Sequence, residues 1–284
     1  MAEHHDIWPM TVRCEVLEVS RSGFYPYLHR QKTPVIDVTE RALVARVKAM
    51  ADDTRNRYGS RRRAQQLQAE GCTVGRAKAR RLMHQAGVVV QRPKRRGPVT
   101  TDRRHGYAVA PNLLARQFDV AQPDQGWVGD ISYVWTAAGL LYVSTLLDLY
   151  SRKVVGWAMR SRCDTSLVQD TLQMALGRRH PTAGLLHHSD RGSQYASEAY
   201  HDLLGAHGIV CSMSGKGECL DNAVAERFCG SLKREGTAQR SYATRQEARD
   251  DIIAYIEMFY NSRRQHSYLG YVSPNAYEKL ARVA

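Results

Sequence analysis

Between residues 125 and 160 the chain runs through three successive stretches with strand character, and the first has an acid at its centre. Trp127-Val128-Gly129-Asp130-Ile131-Ser132-Tyr133-Val134 and Leu140-Leu141-Tyr142-Val143-Ser144-Thr145-Leu146-Leu147 are rich in β-branched and aromatic residues, and Lys153-Val154-Val155-Gly156-Trp157-Ala158-Met159 follows suit. Helix and strand signals then alternate: a helix over 166–176, a short strand at 185–188, a helix over 197–207, a strand at 209–213 and a helix over 221–234. Three strands in a row followed by alternation predict an α/β fold, a mixed five-stranded sheet with helices on its faces. An ionised carboxylate inside such a strand is costly unless it is paired or binds a cation. Asp130 therefore stands out as more than a packing residue.

The front of the chain has a different character. The 41 Lys and Arg exceed the 28 Asp and Glu by 13, and 23 of the basic but only 11 of the acidic residues fall within residues 1–120. That asymmetry suits a polyanion-binding front half joined to a near-neutral rear half with another task. Over 11–25, Val12, Val16 and Leu17 form an apolar face, Glu18-Val19 turns, and Ser20 caps a second short helix that Pro26 is expected to limit. Over 39–87, Leu43, Val44, Val47 and Met50 repeat at helical spacing, and Tyr58-Gly59-Ser60 opens a helix bearing Arg61 and Arg62. A third helix, 75–86, sets Arg76, Lys78, Arg80 and Arg81 around Ala79, Leu82, Met83 and Ala86. This is helix-turn-helix grammar, in which a basic helix enters the major groove, although a three-helix bundle without DNA has the same pattern.

Residues 88–120 lack apolar periodicity, contain Pro93, Gly97, Pro98 and Gly106, and hold the run Arg92-Pro93-Lys94-Arg95-Arg96. They read as a basic linker, with Lys94, Arg95 and Arg96 lying along phosphates or simply keeping a spacer soluble. The expected division is a helix-turn-helix segment at 1–36, a second such domain at 37–87, the linker at 88–120, a catalytic core at 121–240 and a C-terminal helix and tail at 241–284. No apolar run approaches the ~18 residues of a membrane span, and the N-terminus lacks a secretory pattern, so a cytoplasmic protein without a membrane partner is expected. The six cysteines form no C-x-x-C pair and the histidines no H-E-x-x-H, which argues against zinc. No phosphate-binding G-x-x-x-x-G-K-[ST] loop is present.

Two further acids have informative surroundings. Asp190 lies just past the fourth strand in His187-His188-Ser189-Asp190-Arg191-Gly192-Ser193-Gln194-Tyr195, with 59 residues between it and Asp130. Glu226 follows after 35 intervening residues, in Asp221-Asn222-Ala223-Val224-Ala225-Glu226-Arg227-Phe228-Cys229-Gly230-Ser231-Leu232-Lys233. Helical spacing puts Asn222, Glu226 and Lys233 on one face. Lys233 and Arg191 face DNA phosphates or are solvated cations. Asn222 caps its helix or touches DNA, and His188 orients Asp190 or fills the strand end. Asp148 reads as a hairpin-turn residue, and Ser214-Gly215-Lys216-Gly217 as a mobile loop able to close on DNA.

Together with Ser20-Arg21-Ser22-Gly23-Phe24-Tyr25, Tyr58-Gly59-Ser60-Arg61-Arg62, Asp148-Leu149-Tyr150-Ser151-Arg152 and the closing Tyr260-Asn261, Arg264, His266, Leu269-Gly270-Tyr271 and Ser273-Pro274, these motifs span nearly the whole chain. The sequence resembles the OrfB-type transposases of the bacterial insertion-sequence family numbered three, relatives of the retroviral integrase catalytic core. The resemblance implies an RNase H-like sheet preceded by small all-α helix-turn-helix domains, and a D-D-x35-E triad of Asp130, Asp190 and Glu226 as catalytic residues and metal ligands. It implies two Mg²⁺ ions, replaceable by Mn²⁺ and roughly 4 Å apart, with Asp130 bridging. They serve strand cleavage by water and strand transfer by a 3′-hydroxyl. It further implies action on the element's terminal inverted repeats and on target DNA at the nucleoid, a homo-oligomer on DNA, and fusion or association with an upstream reading frame's product. Gly129 departs from the Thr or Asp of many relatives, and Arg227-Phe228-Cys229 from a commoner Ser-Phe-Phe. A nuclease that cuts without joining, and a DNA-binding regulator with a relic core, stay open at this level.

Overall fold

The computed structural model describes residues 8–32, 38–90, 106–237 and 240–281, in two compact units, Met1–Val89 and Val90–Ala284. The first unit is all helical: α1 (Met10–Val16), α2 (Arg21–Lys32), α3 (Val38–Asp53), α4 (Ser60–Ala69) and α5 (Arg76–Gln85). Ser20 Oγ accepts the Gly23 amide at 3.1 Å, the expected cap. Pro26, however, lies inside α2 rather than ending it. The single bond it deletes would have reached the carbonyl of Ser22, an exposed residue of the first turn, where water can satisfy the oxygen. In α3 to α5 the apolar periodicity becomes a core: Val47, Met50, Leu67, Ala79, Leu82 and Met83 are buried.

The second unit is built on strands β1 (Gly126–Thr136), β2 (Gly139–Asp148), β3 (Val154–Arg160), β4 (Leu186–Ser189) and β5 (Val210–Met213), ordered β3-β2-β1-β4-β5. β1–β2 and β2–β3 are antiparallel, whereas β1–β4 and β4–β5 are parallel, so the predicted mixed five-stranded, RNase H-like sheet is present. Its helices are α6 (Thr165–Arg179), α7 (Ser193–Ala196), α8 (Glu198–Ala206), α9 (Ala223–Ser231), α10 (Arg245–Ile253) and α11 (Pro274–Ala281). A core of Trp127, Leu146, Val155, Leu172, Tyr200 and Met213 joins one sheet face to α6–α8. By the two-residue period of β1, Asp130 lies on the opposite face from Trp127, the face that α9 covers. The helix expected at 221–234 begins as a 3₁₀ turn, Cys219–Asn222, and widens into a π turn, Leu232–Thr237.

Residues 106–120, expected to be linker, pack on this second unit: the Leu113 and Leu114 amides both donate to Ser212 Oγ, at 2.9 and 3.2 Å, and Leu114 is buried. The C-terminal segment is likewise more than a helix and tail. Asn261 takes the Val154 amide on Oδ1 at 2.9 Å and gives Nδ2 to the Val154 carbonyl at 3.0 Å, clamping the start of an edge strand. Asp148 is the turn residue anticipated, buried and accepting the Ser151 amide at 2.8 Å and the Asp124 amide at 2.7 Å. Among the described residues no helix is long and apolar enough to cross a membrane.

β3 and α6 approach so closely that a side chain at Gly156 would strike the Thr171 carbonyl and come within 2.8 Å of Ala175 Cβ. Gly156→Ala is expected to destabilise the second unit by about 2–3 kcal/mol, read as an earlier midpoint in urea denaturation. An unchanged midpoint contradicts this packing.

Candidate active site

The site forms where two neighbouring strands part. β1 pairs with β4 only from Gly126↔Leu186 to Val128↔His188. Carrying that register on by two residues sets Asp130 beside Asp190, on strands about 4.8 Å apart before they diverge. β4 ends at Ser189, while β1 runs on to Thr136 with β2 alone as its neighbour. The carboxyl end of a parallel pair next to an antiparallel one is a natural crevice.

Two of the acids are fixed locally. Asp130 Oδ1 accepts the Ile131 amide at 2.9 Å, and Asp190 Oδ1 accepts the Gly192 amide at 3.0 Å. Glu226 is exposed in the first turn of α9, where the helix dipole favours negative charge. One turn on, the buried Cys229 thiol lies beside Asp130 and favours its charged form. Dense packing around Asp130, then the charges of Asp190 and Glu226, push its carboxyl from the ordinary 3.8 up to about 7, even though part of the side chain still reaches solvent. Asp130 therefore senses the other two acids across the crevice. Among the described residues, no three acidic, imidazole or thiol groups are gathered into a ready metal cage. The donor set is nonetheless three carboxylates, the chemistry of a hard cation. A divalent ion would relieve the repulsion by drawing them together.

The neighbouring histidines are committed elsewhere. His188 bridges β4 to β5 and the loop beyond, Nδ1 to Ser212 Oγ at 2.8 Å and Nε2 to Ser214 Oγ at 3.1 Å, so it fills the strand end and does not orient Asp190. His187 Nε2 meets Tyr200 OH at 3.0 Å. Burial lowers His187 to about 3 and His188 to about 4.

Lys233 lies in the π turn with Nζ 4.2 Å from the centre of the Tyr133 ring. Arg191 Nε donates to the Ser214 carbonyl at 2.6 Å, tying the residue after Asp190 to the Ser214–Gly217 loop. Asn222 requires a correction. It is 2% exposed, makes no capping bond, and gives Nδ2 to the Gly129 carbonyl at 2.9 Å, so it is not displayed to DNA. In the first unit Arg76, Lys78, Arg80 and Arg81 are exposed on α5, with Arg81 paired to Glu40 at 2.9 Å. Arg61 is exposed on α4 and Arg62 stacks 5.2 Å from the Tyr58 ring centre. Lys94, Arg95 and Arg96 lie outside the described residues.

Sequence reasoning missed Cys229 as a neighbour of Asp130, and it missed a hub at Asp221. The Asp221 carboxylate accepts the Gly215 amide at 2.9 Å, Asn112 Nδ2 at 2.9 Å and Arg116 Nε at 2.7 Å. The Gly215 amide, then Arg116, hold its pKa below the usual carboxylate value. The Asp221-Asn222 dipeptide was visible in the motif, but nothing in the sequence pointed to Arg116 or Asn112.

Comparison with known families finds Integrase core domain matches at residues 120–219 and 207–274, and an HTH-like domain at 39–96. The chain is 40% identical over 272 residues to the insertion element IS600 uncharacterized 31 kDa protein of Shigella sonnei, covering 95% of this chain and 99% of the relative. It is 37% identical to the transposase for insertion sequence element IS904 of Lactococcus lactis, covering 89% and 99%. To the transposase InsF for insertion sequence IS3A of Escherichia coli it is 35% identical, covering 97% and 96%. Among solved structures, a simian T-cell lymphotropic virus intasome aligns with a TM-score of 0.47 at 14% identity, covering 82% of this chain and 74% of that one.

Without divalent cations, Asp130 keeps to about pH 7 a proton that an unfolded aspartate releases near 3.8, so folding stability falls as pH rises between those values. Asp130→Asn removes that loss. In EDTA at pH 8 the variant should melt about 5 °C above wild type, the shift being discounted for solvent at the carboxylate, and the gap should close toward pH 5. Equal melting at both pH values would show that Asp130 is not strained by its neighbours.

Proposed function

The chain belongs to the integrase-core transposases of IS3-type insertion sequences, and from that membership we propose that Asp130, Asp190 and Glu226 are its catalytic carboxylates and the ligands of two Mg²⁺ ions, replaceable by Mn²⁺. The observation that carries the assignment is the β1–β4 register beside Asp130, whose affinity for protons is raised first by burial and then by the charges of the other two acids. When bound, the ions supply positive charge to the attacking and leaving oxygens of an in-line displacement at phosphorus. The protein's share is to hold three acids from two strands and a helix against their repulsion, and to release the Asp130 proton as the site loads. Water attack gives cleavage and 3′-hydroxyl attack gives strand transfer, with no covalent link to the protein.

Around this centre we assign Arg191 and Lys233 to phosphates beside the scissile bond. In the first unit, α5 with Arg76, Lys78, Arg80 and Arg81 presents the basic face suited to a major groove, with Arg61 and Arg62 adding backbone contacts, and the run Lys94, Arg95 and Arg96 after that unit adds more. The DNA partners in this reading are the element's inverted-repeat ends and a target duplex, engaged by more than one copy of the chain. An upstream reading frame supplies a fused or associated segment, and the setting is the bacterial nucleoid. These finer partners rest on the family resemblance.

Glu226→Gln is expected to bind duplexes carrying the inverted repeats that flank the gene as wild type does, while Mg²⁺-dependent cleavage falls by about 10²–10³-fold or more. Gel shifts in EDTA and a labelled-strand cleavage assay measure the two separately. Wild-type cleavage by this variant would remove Glu226 from the triad.

A further inference from the structure

The strand that carries one acid and the helix that carries another are joined by a buried hydrogen bond. Where β4 leaves β1, the Gly129 carbonyl accepts Asn222 Nδ2 at 2.9 Å, across 93 residues of sequence. Asp130 follows Gly129 in β1, and Glu226 lies one turn beyond Asn222 in α9. A buried carbonyl left without a donor is costly, so the bond is not easily exchanged for another arrangement. Each end of it is anchored independently.

On the strand side, a side chain at Gly129 would come within 3.1 Å of Leu146 Cδ2 and 3.2 Å of Tyr195 OH, so the backbone lies hard against the core. Glycine also gives this backbone more freedom than a residue with a side chain would. That freedom makes an external pin matter. On the helix side, Asp221 fixes the same 3₁₀ turn through Gly215, Asn112 and Arg116. Asn222 is almost wholly buried between the two.

Resting on the triad reading above, we propose that Asn222 is a positioning residue: it sets the Glu226 helix against the Asp130 strand so that both carboxylates reach one divalent ion. It acts through the Gly129 backbone and not by touching DNA. Groups that orient metal ligands without binding the metal typically contribute 10–100-fold to metal affinity. Asn222→Ala deletes the donor, and Asn222→Asp keeps the shape but sets an acceptor against the Gly129 carbonyl.

The test is calorimetric titration of the full-length chain with Mn²⁺, for wild type, Asn222→Ala, Asn222→Asp and Asp130→Asn, together with DNA affinity in EDTA and cleavage at saturating Mn²⁺. Both Asn222 variants should bind Mn²⁺ about ten-fold more weakly or worse. DNA affinity should stay within about two-fold, and excess Mn²⁺ should restore most of the Asn222→Ala cleavage. If Asn222→Asp does not fold, Asn222→Ala decides alone. Wild-type Mn²⁺ affinity in Asn222→Ala overturns the proposal, whether the variant melts lower, as a purely structural clip would, or loses DNA affinity, as a DNA contact would. The Asp130→Asn arm separates the underlying reading: Mn²⁺ binding there equal to wild type means that the triad assignment is wrong, whatever Asn222 does.

Discussion

The structure of the second unit turns on electrostatic repulsion that the fold imposes. The β1–β4 register brings Asp190, just past the end of β4, beside Asp130 of β1, and α9 brings a glutamate to the same crevice; burial and then these charges raise Asp130 to about 7. Like charges so arranged are unstable unless a proton or a cation intervenes. The remaining framework has to resist the spreading that repulsion favours. The bond from Asn222 to Gly129 and the hub at Asp221 hold the start of α9, while Arg264 holds the far end. Arg264 makes a two-pronged pair with Glu235 in the π turn after α9, at 2.6 and 2.7 Å, and Tyr255 OH adds a third bond to Glu235 at 3.1 Å.

This arrangement explains why the C-terminal segment is part of the catalytic unit. Arg264, Asn261 and Glu278 all come from beyond residue 240, and each closes a polar network in the sheet or the π turn. Glu278 meets Arg179, Lys153 and Ser151, at 3.0, 3.1 and 2.8 Å, beneath the turn that Asp148 organises. Buried ions of this kind are better understood as setting geometry than as adding stability, since desolvation offsets much of their attraction.

Much of this was legible in the sequence, and what was not has a common cause. The five strands and the helical front unit were readable, and Asp130 stood out, because periodicity, turn residues and an acid within an apolar strand are local signals. The Asp148 turn was readable for the same reason. The β1–β4 register was not, because it pairs segments sixty residues apart. Nor were the bonds from Asn222 to Gly129 and Arg116 to Asp221, or the approach of Cys229 to Asp130, each of which is a tertiary contact between distant segments. Pro26 shows the converse: a strong local stop signal was overridden because the deleted bond fell at an exposed carbonyl in the first turn.

The most direct test of the central claim is anomalous diffraction from a crystal of the protein soaked in Mn²⁺. The account predicts anomalous density in the crevice between β1 and β4, with oxygens of Asp130 and Asp190 about 2–2.5 Å from it and Glu226 drawn in beside them. Density elsewhere on the protein, with the crevice empty at saturating Mn²⁺, would contradict it.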